Sequence, residues 1–190
     1  MSLAADQPVV DEEAVRTSVP DELGPRLNRL RAGVLGANDG IVSTAAVVVG
    51  VASAQASTEV IAMAGLAAAV GGAISMALGE YVSVSSQADT EKQHGVKPEH
   101  VVSAWQAALT SFLSFSLGAA LPLLAILLTP ESARIAVTAV ATLIGLALTG
   151  GIAANIGGAP KVPAMLRTVI GGTLALAATY VVGMLFNTGP

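Results

Sequence analysis

The sequence predicts an all-α membrane protein of five transmembrane helices per protomer, with no room for a second folded unit. Three observations carry that reading. First, 53% of the 190 residues are hydrophobic and only 12% are charged, and the mean hydropathy of +0.71 exceeds what soluble domains of this size carry. Second, five separate apolar runs each reach the ~20 residues that a bilayer core demands of a helix. Third, aromatic residues make up 3% of the chain while glycines number 20. That composition lacks the aromatic girdles of a membrane β-barrel and suits helices packed closely through small side chains.

Residues 1–31 form an acidic segment holding Asp6, Asp11, Glu12, Glu13, Asp21 and Glu22. It has neither the basic start nor the short apolar core of a cleavable signal, so the first span is expected to act as its own insertion signal. Residues 32–190 form the transmembrane domain, with spans at about 32–54, 60–84, 105–128, 133–156 and 166–187. Gln55–Glu59 and Thr129–Ser132 are short connections, so consecutive spans are expected to be antiparallel neighbours. Residues 85–104 are the one substantial loop, short, polar and cytoplasmic, holding His94 and His100, which are read as solvated. Pro122 is expected to kink the third span, and Gly157-Gly158-Ala159-Pro160 breaks the chain before the fifth.

Basic residues near helix ends are retained in the cytoplasm. With the N-terminus inside, Arg16, Arg26, Arg29, Arg31, Lys92, Lys97, Lys161 and Arg167 are cytoplasmic, and Arg134 alone departs. Five spans then put the C-terminus outside. An odd number of spans cannot divide into two inverted halves, so symmetry is expected to come from oligomerisation. The chain has no cysteine, which closes thiolate metal sites, disulfides and cysteine nucleophiles. A net charge of −4 held in the polar segments argues against nucleic acid. No histidine lies inside a span, so a serine–histidine hydrolase has no base, and the chain is not read as an enzyme.

Asp39 is the sharpest candidate, an ionisable residue inside the first span. A charge there costs several kcal/mol (about 3 on insertion scales) unless it is paired, hydrated or bound to a cation. Two readings stand: an ion or proton ligand, or a protonated acid hydrogen-bonded to Ser43 one turn on. Asn38 and Ser75 are supporting polar candidates. Gly36 and Gly40 flank Asp39 at the spacing that admits a close helix, within the protomer or across a dimer. Met76 and Glu80, four residues apart, share one face of the second span. At 1.5 Å per residue, Asp39, Met76 and Glu80 fall roughly 10, 13 and 7 Å from the cytoplasmic side, one common layer. Carboxylates alone suit any hard cation, and an added thioether favours first-row transition metals over Mg²⁺ or Ca²⁺. Simple packing of Met76 and a solvated Glu80 are the plainer alternatives.

Gly33-Val-Leu-Gly-Ala-Asn-Asp39-Gly-Ile-Val-Ser-Thr44 and Gly72-Ala-Ile-Ser-Met76-Ala-Leu-Gly-Glu80-Tyr-Val-Ser resemble the vacuolar iron transporter family, in its bacterial branch. The likeness continues through Trp105-Gln-Ala-Ala, Gly118-Ala-Ala-Leu-Pro122, Gly157-Gly-Ala-Pro160 and Thr179-Tyr180. It implies five-span protomers paired as a homodimer in the lipid bilayer, with the ion path between the first two helices. It also implies export of Fe²⁺, with Mn²⁺, Co²⁺, Ni²⁺ or Zn²⁺ as related substrates, from the cytoplasm in exchange for protons, with no tightly bound cofactor. Asp39 and Met76 fall on the family's path residues.

Two departures accompany the likeness. Where several eukaryotic members carry a glutamate two turns before the methionine, this chain has Ala68. Where the bacterial branch inserts a glutamate-rich cytoplasmic metal-binding domain, this chain runs from Glu91-Lys-Gln93 straight into His94-Gly-Val-Lys-Pro-Glu-His100. The branch implies a bacterial cytoplasmic membrane rather than a vacuolar one. The competing expectation is a non-transporting membrane scaffold or vestigial paralogue in which Asp39 only hydrogen-bonds between protomers. A carrier of small organic molecules is a third, disfavoured because the spans offer no aromatic-lined pocket.

Overall fold

A computed structural model of the chain describes residues 23–187; of the acidic segment expected over residues 1–31, residues 1–22 lie outside them. Five long helices follow one another: α1 (Leu23–Ser53), α2 (Thr58–Gln93), α3 (Ala104–Leu128), α4 (Arg134–Ile156) and α5 (Lys161–Leu185), with a 3₁₀ turn at Pro98–His100. All five are long and apolar enough to cross a membrane, and no strand occurs among the described residues.

Two helices outrun their expected spans by about nine residues. α1 begins at Leu23, before the apolar run, and α2 continues to Gln93, through much of the segment read as a loop. Polar residues extend a helix past the bilayer without penalty because water satisfies their side chains, and local contacts then decide where it stops. Here Glu91 receives the Gln87 amide at 2.8 Å and the Val102 backbone N–H at 3.0 Å. The exposed His94 ring donates to the Thr90 carbonyl at 2.9 Å. These bonds fold the chain back towards α3, whose N-cap is Ser103, its hydroxyl accepting from the Gln106 N–H.

The other connections follow their sequence signals. Gln55 takes a positive φ of 60° in the α1–α2 turn, and Ser57 caps α2. Gly158, at φ 67°, makes the turn that Pro160 and α5 follow, a conformation in which a β-carbon would be strained. Pro122 lies within α3, buried. Arg134, the exception to the charge asymmetry, is 5% exposed and spends its donors inside the protein, on the Ala56 carbonyl, Thr58 Oγ1 and Glu131. It clamps the α1–α2 and α3–α4 turns together.

α1 packs against all four other helices, most extensively against α3. The reason is its small-residue face. A β-carbon at Gly36 would stand 2.7 Å from the Ser111 carbonyl oxygen, and one at Gly40 would overlap the Phe115 backbone. The Gly36/Gly40 face is therefore taken up by α3 within the protomer. Around this crossing sit apolar clusters at three levels: Ala32, Val84 and Ala107; then Ala73, Phe115 and Ala119; then Val48, Ile61 and Leu123. α2 and α5 flank the bundle and turn long apolar faces outward, among them Leu66, Val70 and Leu78 on α2 and Leu166, Ile170 and Leu174 on α5.

Candidate metal path

α1 carries Leu35, Asp39, Ser43 and Val47 at steps of four residues, one face of a helix. α2 turns Ala68, Gly72, Ser75, Met76, Gly79 and Glu80 towards that face, and together they line a groove of about 430 Å³ floored by Phe115. The groove opens on the outside of the bundle, so Asp39 is exposed there. Asp39, Met76, Glu80, Ser43 and Ser75 thus meet in one place. Asn38 does not: it points the other way, where the Thr149 hydroxyl donates to its side-chain oxygen at 2.5 Å and ties α1 to α4.

The two carboxylates have different surroundings. Glu80 is 6% exposed and receives the Arg31 guanidinium, Nη2 to Oε2, at 2.9 Å. A carboxylate that deeply buried requires such a partner, since an unpaired charge there is strongly destabilising. Asp39 has no comparable partner among the described residues. The Ser43 hydroxyl donates at 2.6 Å to the Asp39 backbone carbonyl and not to its carboxylate. The expected alternative of an acid capped by Ser43 is thus not the arrangement found.

Asp39, Met76 and Glu80 line this one groove, and the Arg31 guanidinium joins it at Glu80. Beyond Asp39 the wall is apolar, with Val47 and Ala68.

Sequence reasoning missed two residues. Arg31 was counted only as a topological marker, although its position one helical step above Leu35 on the groove-lining face was readable. Phe115 carried no chemical signal; its ring lies under Gly72, where a β-carbon would overlap it, and it is 1% exposed. Among the α3 serines, Ser116 donates back to the Phe112 carbonyl on its own helix, and Ser111 is buried with no partner among the described residues. Trp105 and Tyr81 meet edge to face at 5.4 Å. No three His, Asp or Glu side chains gather into a metal-holding cluster among the described residues.

A five-helix membrane bundle with a polar groove cut into an apolar flank is the build of a membrane transporter. The comparisons give the family. The chain matches the VIT family over residues 30–97 and 90–184, and it belongs to that family, whose members are membrane transporters and not enzymes. It is 44% identical over 163 residues to vacuolar iron transporter homolog 3 of Arabidopsis thaliana, a match that covers 82% of each chain. It is 43% identical over 175 residues to vacuolar iron transporter homolog 1 of Oryza sativa subsp. japonica, covering 85% of this chain and 75% of that one. With vacuolar iron transporter homolog 1 of Arabidopsis thaliana the identity is 42% over 171 residues, 86% of both.

Proposed function

We propose that the protein carries Fe²⁺ and related divalent transition-metal ions out of the cytoplasm in exchange for protons, along a path that two copies complete by facing their α1–α2 grooves. The observation that carries this reading is Asp39. Its carboxylate stands in an open groove on an apolar flank, without a donor among the described residues, in company with a thioether and a second carboxylate. A bare carboxylate facing hydrocarbon is costly. A second copy closes the groove, doubles the ligand set and hides the charge from lipid. One protomer supplies too few ligands to trap a metal permanently, which suits binding followed by release.

In the proposed cycle the ion enters past Glu80, meets the soft sulfur of Met76 and reaches Asp39. There its charge replaces the need for a proton. Protons from the far side then neutralise Asp39 and release the ion, so no bare charge moves through hydrocarbon. With Ala68 in place of a glutamate, the wall beyond Asp39 holds no acid, and Asp39 is the proton carrier. Mn²⁺, Co²⁺, Ni²⁺ and Zn²⁺ fit the same donors less selectively.

The names of the relatives, vacuolar iron transporter homologs, support iron as cargo. A bacterial cytoplasmic membrane follows from the motif likeness and a vacuolar one from those names; in both, transport runs away from the cytoplasm. The family matches in two segments that meet at residues 90–97, which supports the reading that the branch's inserted cytoplasmic domain belongs at this point; the membrane path is proposed to work without it. A scaffold would assemble through small-residue faces, and α3 occupies one of them, the Gly36/Gly40 face, inside the protomer. Proteoliposomes holding a metal-quenched dye and a pH dye test the proposal. Saturable Fe²⁺ flux under reducing conditions, with protons moving the opposite way, is the expected result. A well-folded protein that moves no Fe²⁺ would leave the scaffold standing.

A further inference from the structure

Arg31 extends the groove-lining stripe of α1: residues 31, 35, 39, 43 and 47 recur every four, and Arg31 is the first of them. Its Nη2 sits 2.9 Å from Glu80 Oε2 and also donates to Asn28 Oδ1 at 3.2 Å. The two partners differ in freedom. Glu80 is 6% exposed and fixed in the groove wall, whereas the Arg31 side chain is 50% exposed and has a way out.

We propose that Arg31 is a tethered cation that holds the Glu80 carboxylate at the mouth of the groove until a divalent ion displaces it, and so sets how tightly that end binds its cargo. The proposal rests on the transporter reading and adds a positioning residue to it. A guanidinium keeps its proton at any working pH, so it yields its carboxylate only by moving. A divalent ion on Glu80 and a guanidinium a few Å away repel each other strongly in a partly desolvated site. The half-exposed arginine then swings its head to the water side on its flexible stem. Once the ion has stepped down to Met76 and Asp39, the guanidinium returns to Glu80 and opposes back-flow.

The test is Mn²⁺ binding to the purified full chain in detergent, followed by loss of the free-ion electron paramagnetic resonance signal. Arg31→Gln is expected to bind Mn²⁺ about fivefold tighter, the scale of a half-exposed ion pair, and Arg31→Lys to stay near wild type. In Glu80→Gln the addition of Arg31→Gln is expected to change nothing further. In liposomes Arg31→Gln should lower both KM and kcat for Mn²⁺, since tighter capture slows release; a mere staple between α1 and α2 would leave KM alone. Should Arg31→Gln fail to fold, Asn28→Ala, which removes only the second anchor, is expected to tighten binding in the same direction by less. Unchanged or weaker binding in the folded variant overturns the proposal. If Asp39→Asn lowers Mn²⁺ binding and Arg31→Gln does not alter it, only this proposal fails; if wild type shows no saturable binding, the transporter reading fails and this falls with it.

Discussion

Asp39 and Glu80 line one groove, and what separates them is a partner. Glu80 is buried against Arg31, while Asp39 waits in the open with Ser43 turned to its backbone. Asp39 was legible in the sequence because an acid inside an apolar run breaks the pattern of its surroundings. Met76 and Glu80 were legible through their spacing. Arg31 was not, because a basic residue near the end of a span reads first as an orientation signal, and its pairing depends on the register of two helices. Met76→Ala is expected to raise the KM for Fe²⁺ several-fold and to affect Mn²⁺ less, because the thioether is the soft ligand; parallel flux titrations with the two ions check this. Equal effects on both ions would mean that Met76 only packs.

At the scale of helices, the five spans were legible because hydrocarbon thickness fixes the length of an apolar run. The polar extensions of α1 and α2 were not, since nothing in the bilayer dictates where a helix stops in water. The Gly36/Gly40 spacing announced a close crossing without naming the partner; the structure supplies α3. A β-carbon at Gly40 would overlap the Phe115 backbone, whereas one at Gly71 meets nothing within the protomer. Gly40→Ala is therefore expected to cost about 1–3 kcal/mol, and Gly71→Ala to stabilise by up to ~1 kcal/mol through helix propensity. Thermal unfolding in detergent compares them. Thr149→Val, which breaks the bond to Asn38, is expected to cost about 0.6–1 kcal/mol and to leave Mn²⁺ binding intact, since Asn38 faces away from the groove.

For the whole molecule, the proposed path takes two protomers. Its α1–α2 flank carries an open groove with an uncovered acid, and the outward faces of α2 and α5 are apolar. Because the chain has no cysteine, single introduced thiols report the pairing cleanly. Leu35→Cys, on the groove wall, is expected to cross-link two copies in membranes, and Leu148→Cys, exposed on α4, is not. The reverse pattern would place the groove against lipid. The central claim is that Asp39 is the group through which metal and proton exchange, and it is tested most directly by Asp39→Asn in dual-dye liposomes, with cross-linking to verify the dimer. The account predicts that Fe²⁺ flux and proton counter-flux both vanish while the dimer persists; an intact dimer of Asp39→Asn that carries Fe²⁺ at the wild-type rate would contradict it.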